Sequence, residues 1–415
     1  MHVVVALDFR FKATPDGSIW SSTAYSHTFW QRYLDVFDGV RIVARAASVQ
    51  DPQPGDRRVD GPAVEFLPVP FYLGPAQYLL RARQIRRAAH RAIGEHDAVI
   101  LRVGSQLANC LTQVLWRLRR PYGLEVVGDP QDAFAPRAIR HPLRPFLRWR
   151  NTRVLRRQCA NACGAAYVTE SALQSRYPCP QFQAAVSDVD LTGNFSTGSP
   201  VTTHSSLGER RLVFVGSLEQ MYKGPDVLLD ALAVCLRANP AFRLTLIGEG
   251  RHLPQLKVQA AALGIQDHVR FTGRLASGEA IQKELDRSSL FVLPSRTEGL
   301  PRAMVEAMAR GLPCVGTQVG GIPELLAAED TVPAGCARSL ARKILDVTSD
   351  PNRMRHMSDR NFQNAMRFRE ESLSPRRIGF YRHVKDVTTQ WLSNREQSGL
   401  QGVTGNARFA RYENI

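Results

Sequence analysis

Short apolar runs and longer amphipathic stretches alternate along most of this chain. In the first half, runs of strand length stand at His2–Leu7, Val40–Ala44, Val64–Leu67, Ala98–Arg102, Tyr122–Val127 and Ala165–Thr169. Helical stretches fill the intervals at Thr28–Phe37, Gln77–Gly94, Gln106–Leu118 and Pro142–Cys163. The second half takes up the same alternation from Arg211, with strands predicted at Leu212–Val215, Arg243–Ile247, Val269–Phe271, Leu290–Leu293 and Pro313–Gly316. Strands separated by helix-length segments predict parallel sheets with crossover helices, an α/β fold. After Asp350 the chain turns helical and charged, and Pro375–Leu392 predicts a closing helix.

At 415 residues the chain is long enough for two domains, each with its own core. Residues 188–208 are polar and rich in Ser, Thr and Gly, and they mark a linker. The expected organisation is an N-terminal Rossmann-like domain over 1–187, the linker, and a C-terminal domain over 209–370. The closing helix falls within 371–393, and a disordered polar tail is expected over 394–415.

The most chemically informative segment is Glu298-Gly-Leu-Pro-Arg-Ala-Met-Val-Glu306. Ser288-Ser-Leu-Phe-Val-Leu-Pro294 before it reads as a strand, and Ala303 to Arg310 reads as a helix ended by Gly311 and Pro313. Strand, loop and helix start form the edge of an α/β sheet at which ligands bind. The opening of a helix offers unpaired N–H groups and a positive dipole end to a phosphate. Pro301 fits the first turn, where its missing N–H costs nothing. The two glutamates flank that anion site, and carboxylates accept well from sugar hydroxyls. A phosphate between two polyols describes a sugar nucleotide. The spacing of the two acids alone also arises by chance, and the surroundings decide between the readings.

The run Ser295 to Leu326 closely resembles the donor-binding segment of family 4 retaining glycosyltransferases, which have the GT-B fold. Leu212-Val-Phe-Val-Gly-Ser-Leu-Glu-Gln-Met-Tyr-Lys-Gly-Pro-Asp-Val-Leu-Leu-Asp-Ala231, Leu244-Thr-Leu-Ile-Gly-Glu-Gly250 and Val269-Arg-Phe-Thr-Gly-Arg-Leu275 agree with it, in family order. The resemblance implies two Rossmann-like domains facing each other across a donor and acceptor cleft, with the closing helix crossing back to the first domain. It also implies transfer of a hexose from a nucleoside diphosphate sugar to an acceptor hydroxyl, with retention, in surface polysaccharide or glycolipid assembly. Glu306 would bind the donor ribose, and Glu298 the hydroxyls of the transferred sugar. Gly299, Leu300, Pro301 and Arg302 would form the diphosphate site with Gly216, Ser217 and Lys223. Lys223 would meet charge developing on the leaving group. Gly248, Glu249, Gly250, Gly273 and Arg274 would line the nucleobase pocket. Gly320-Gly321 permits close backbone approach or serves turn geometry.

The chain departs from the family pattern in several places. Ser217 stands where an arginine is usual, and Arg302 where an aliphatic residue is common. Gly17, in Thr14-Pro-Asp-Gly-Ser18, is the candidate for a glycine loop that usually has two glycines. Gly128-Asp129-Pro130 stands where many relatives have a histidine, which makes Asp129 the catalytic candidate there, with a turn-making Asp-Pro as the plainer reading.

Net charge is +16, carried by arginine, with only six lysines. No acid occurs from Ala133 to Thr169, while Arg137, Arg140, Arg144, Arg148, Arg150, Arg153, Arg156 and Arg157 accumulate among Leu143, Phe146, Leu147 and Trp149. A second cluster is Arg81, Arg83, Arg86, Arg87 and Arg91. The pattern suits an anionic membrane surface or an acidic acceptor, and equally a solvated arginine-rich face, while the family resemblance implies a glycan or lipid-linked acceptor. No nucleic-acid-binding module is recognisable. No run approaches the roughly 18 apolar residues of a membrane span, and Met1–Leu7 reads as a buried strand rather than a signal segment. A cytoplasmic protein, peripheral at the inner face of the membrane, is expected. The seven cysteines are scattered and read as small core side chains. Asp188-Val-Asp190 matches a metal signature of the other glycosyltransferase fold but lies away from every donor motif. No metal or cofactor is expected, the diphosphate being met by positive protein groups. The rival readings are a GT-B sugar-nucleotide epimerase and a degenerate binding or scaffold protein.

Overall fold

The computed structural model describes residues 1–134, 142–189, 191, 210–275 and 278–400. The first sheet has nine strands: β1 (His2–Ala13), β2 (Ile19–Ser21), β3 (Gly39–Ser48), β4 (Arg57–Arg58), β5 (Val64–Val69), β6 (Ala98–Val103), β7 (Gly123–Val126), β8 (Gly164–Tyr167) and β9 (Gln183–Ala185). β1 lies at its centre, parallel to β3 on one side and to β6 on the other, and β7, β8 and β9 continue parallel beyond β6. The predicted first strand ended at Leu7. It continues to Ala13 and turns back through Thr14–Ser18 into antiparallel β2, a hairpin the apolar pattern did not announce. The predicted Thr28–Phe37 helix is shorter, His27–Gln31, followed by turns.

Alternation along β1 divides the core, because successive side chains in a strand point to opposite faces. Val4 and Ala6 face the helices Gly74–Arg91, Gln106–Arg117 and Arg144–Asn161, and this core is continuous with that of the second domain. Val3 and Val5 face Trp30, Tyr33 and the buried Phe380, Tyr381 and Val384. Those last three belong to a helix spanning Glu370–Leu400, which crosses back over the first sheet. It is longer than the predicted Pro375–Leu392, so residues 394–400 of the expected tail are helical, and the rest of that tail lies outside the described residues. Most of the expected linker lies outside them as well.

The second sheet is parallel throughout, with β10 (Arg210–Val215), β11 (Phe242–Ile247), β12 (Val269–Gly273), β13 (Leu290–Leu293), β14 (Cys314–Thr317) and β15 (Thr331–Val332) in the order β12-β11-β10-β13-β14-β15. The strand order reverses between β10 and β13. A doubly wound sheet opens a crevice at such a reversal, outside the carboxyl ends of its strands.

Cys110, Cys159, Cys179, Cys235 and Cys314 are buried and unpaired. Burial pushes the Cys159 and Cys163 thiols up to about 12, so both stay protonated near neutral pH.

Candidate functional site

The loops after β10 and β13 meet at the reversal point. Lys223 Nζ donates to Glu298 Oε1 at 2.7 Å, and Ser295 Oγ donates to the same oxygen at 2.7 Å. Burial alone would lower the Lys223 pKa, but the Glu298 charge outweighs it and holds the ammonium above its ordinary value. The lysine stem lies across Gly216, where a Cβ would stand 2.4 Å from Lys223 Cδ. Gly224 takes the left-handed conformation, φ +70°, with Pro294 O only 2.1 Å from where a Cβ would be, so the two loops abut as backbone on backbone. Arg296 stitches them together. Its guanidinium binds Asp226 twice, at 2.8 and 2.6 Å, and also donates to Met221 O, while its own amide donates to Tyr222 O. Sequence reasoning missed Arg296, Asp226 and Ser295, although each lies inside a segment that carried the resemblance.

The Glu298–Leu300 loop is clasped on both sides. Gly321 N donates to Gly299 O at 2.7 Å, and Gly299 packs against Val127 O of the first domain. Beyond it runs the Arg302–Ala309 helix, with Pro301 in extended conformation as its N-cap and no side chain capping it. An uncapped first turn leaves N–H groups for an anion. Leu300 is buried, Arg302 is exposed at the first helical position, and Glu306 lies half-buried one turn further on. Arg302 is close enough for its charge to act on both Lys223 and Asp188.

On the other side of Lys223, Gly248 N donates to Gly273 O at 2.9 Å, and a Cβ on Gly248 would stand 1.9 Å from Gly216 O. Gly216, Gly248 and Gly273 are thus gathered at the carboxyl ends of β10, β11 and β12. Glu249 O accepts from Leu218 N at 2.9 Å, which ties the two loops further. Ser217 is exposed, and its Oγ accepts from Glu219 N at 3.2 Å. Arg274 reaches across to the first domain and donates to Ser22 O.

Two N-terminal candidates have local partners of their own. Asp129 caps the Pro130–Ala133 helix by accepting from Gln131 N at 2.8 Å, pairs with Arg176, and accepts from Tyr177 Oη. Both its oxygens are thus engaged in holding the turn and its neighbours, and a catalytic role would require giving up these partners. Gly17, φ +83°, sits at the exposed tip of the β1–β2 hairpin, where its N–H donates to Thr14 O at 2.9 Å. A strand that runs on to Ala13 carries this turn away from the short β6 and β7 edges.

A buried polar cluster beneath the cleft was also missed. Arg102 on β6 pairs with Glu125 on β7 and with Asp188, and Arg32 reaches Asp188 at 3.3 Å. Glu125 accepts from Tyr33 Oη at 2.8 Å and from Tyr381 Oη of the crossing helix at 3.2 Å. The signal was present: Arg102 and Glu125 interrupt strands that are otherwise apolar. Asp188 of the metal-like signature is therefore committed to two arginines, and Asp190 lies outside the described residues.

Residues 202–364 match the family of glycosyl transferases group 1. Protein CapJ of Staphylococcus aureus is 26% identical over 329 residues, 77% of this chain and 80% of that protein. A putative colanic acid biosynthesis glycosyltransferase, WcaL of Escherichia coli, is 33% identical over 177 residues, 40% of this chain and 42% of its own length. Among solved structures, Anabaena Alr3699/HepE in complex with UDP-glucose superposes with a TM-score of 0.60 at 16% identity, over 94% of this chain and 100% of that one. The fold is GT-B, and the resemblance read from the Glu298–Glu306 segment holds at the level of the group 1 glycosyltransferases.

Proposed function

From a GT-B chain whose C-terminal domain carries the glycosyl transferases group 1 match, we propose a retaining hexosyltransferase that uses a nucleoside diphosphate sugar. The observation that carries this reading is the Lys223–Glu298 pair at the reversal point, beside the uncapped start of the Arg302–Ala309 helix. The diphosphate would lie between that helix start and Lys223, whose ammonium stays charged and ready to stabilise the leaving oxygen. Arg302, whose charge reaches Lys223, would supply a second cation, whereas Ser217 supplies none. Glu306 would take the ribose hydroxyls. Glu298, held by Lys223 and Ser295, would orient the sugar, with the departing diphosphate oxygen taking the acceptor proton on the same face.

Calorimetric titration with UDP, GDP and ADP tests the donor site. One diphosphate is expected to bind, and Glu306→Ala should weaken it roughly 10- to 100-fold, the loss of charge-assisted hydrogen bonds worth about 1.5–3 kcal/mol. Equal affinity in the variant would remove Glu306 from the site. No binding of any of the three would instead favour a degenerate scaffold.

The acceptor side would work at a membrane surface. No described helix is long and apolar enough to cross a bilayer. However, the Arg144–Asn161 helix exposes Phe146 and Trp149 beside Arg144, Arg148 and Arg153, of which Arg148 is turned to Gln131 O and the Asp132 charge. Arg137 and Arg140 lie outside the described residues. Each cation near an anionic surface contributes about 1 kcal/mol. Sedimentation with liposomes should therefore rise with anionic lipid content and fall with salt. Sedimentation indifferent to lipid charge would count against this docking.

A further inference from the structure

Glu324 lies outside the residues assigned to the proposed donor site, and its carboxylate binds the first domain through four hydrogen bonds. It sits on the short Ile322–Leu325 helix after β14, just past Gly320 and Gly321. One oxygen accepts from Glu170 N at 2.7 Å. The other accepts from Ser171 N at 3.0 Å, Ser171 Oγ at 3.0 Å and Ala172 N at 2.7 Å. These groups belong to the loop after β8 and the opening of the Ala172–Arg176 helix, whose own N-cap, Ser171, makes no capping bond. The cap is supplied by the opposite domain. Glu170 strengthens the contact by pairing with Arg367 and, at 3.6 Å, with Arg376.

The turn that carries Glu324 also supports the donor loop. Gly321 N holds Gly299 O at 2.7 Å, and Gly320 lies so close to Glu298 O that a Cβ would stand 2.0 Å from it. Glu324 thus fastens to the first domain the turn on which Glu298 and Gly299 rest. Its contacts are half-exposed, so water can satisfy every partner if the cleft opens. Such a bond suits a clasp that opens and recloses.

We propose that Glu324 is a positioning residue for transfer, an interdomain cap that sets the Glu298–Leu300 loop against the acceptor-side domain when the cleft is closed. This inference rests on the glycosyltransferase reading. Glu324→Ala, Glu324→Gln and Glu324→Asp are compared with the wild type by amide hydrogen exchange at residues 170–172. They are also compared by calorimetric affinity for the diphosphate that binds and by turnover of the matching donor sugar, with water as acceptor if necessary.

Glu324→Ala should release protection at 170–172 and lower kcat roughly 10- to 100-fold, the usual consequence of misplacing reacting groups by about an ångström. Donor KM, diphosphate affinity and thermal midpoint should hardly move, since the proposed donor site lies on the second domain. Gln keeps an acceptor oxygen and should recover part of kcat. Asp is a methylene shorter and should not. An unchanged kcat in Glu324→Ala would overturn the proposal, as would a joint fall of kcat, affinity and midpoint. A wild type that turns over no donor would sink the glycosyltransferase reading itself, and unchanged exchange at 170–172 in Glu324→Ala would then refute the cap on its own.

Discussion

Lys223→Met should lower kcat by about 10²- to 10³-fold, the range found when one preorganised donor to a developing negative charge is removed. Two effects are superimposed in that loss. The leaving group would lose a cation, and Glu298 would keep only the Ser295 hydroxyl of its two partners. Breaking a buried pair by deleting one member costs about 3–5 kcal/mol, more than the pair contributes when intact. Adding Glu298→Gln separates the effects, because the double variant has no stranded charge. It should recover most of the stability of Lys223→Met and none of its turnover, as read from urea midpoints and initial rates. A single variant that keeps kcat near wild type would remove Lys223 from the chemistry. The sign of the pH effect follows from the raised lysine pKa. The pair contributes fully below the ordinary lysine value near 10.5 and is lost as pH rises through the higher folded value.

Arg102→Met should destabilise the protein by about 3–5 kcal/mol, because it leaves Glu125 and Asp188 without their shared cation. Tyr33 and Tyr381 still donate to Glu125, whereas Asp188 keeps Arg32 at 3.3 Å as its ion-pair partner among the described residues, with Arg302 acting on it from further off. Burial would raise the Asp188 pKa, but Arg102 and then Arg32 override it and hold the carboxyl below its usual 3.8. A depressed carboxylate stabilises fully above that usual value and loses its contribution as pH falls through the depressed one. Asp188→Asn should therefore flatten the acid limb of the stability curve below about pH 4. An unfolding midpoint for Arg102→Met equal to that of the wild type would show the cluster to be dispensable.

The parallel strands were legible because buried strands and crossover helices leave strong apolar runs. The hairpin at Thr14–Ser18 was not, since β2 and β4 span only three and two residues and carry no run of their own. At the site, the motif segments led to Lys223, Glu298, Gly216, Gly248 and Gly273, which fall together because each ends or follows a strand at one sheet edge. Arg296 and Glu324 were hidden for a different reason. Their partners, Asp226 and Glu170–Ala172, lie 70 and some 150 residues away in sequence, and a side chain that acts across such a distance has no local pattern. Asp129 shows the converse. Its Asp-Pro turn chemistry is visible in the sequence, whereas Arg176 and Tyr177, which engage its oxygens, come from another part of the chain.

The helix Glu370–Leu400 has a bearing on how the chain is made. A ribosome delivers it after both sheets, yet Phe380, Tyr381 and Val384 complete the core that covers Val3, Val5, Ile42 and Ile100. The strands of the first sheet thus wait for cover on that face until the second domain has been made. The second domain, contiguous from Arg210 to Ala365, can close its own sheet as it leaves the tunnel. Birth order and completion order are opposed, and the earlier domain carries an unfinished apolar face while the later one is being made. Nascent chains of that kind are the ones holding chaperones engage and the ones that aggregate when expression outruns them.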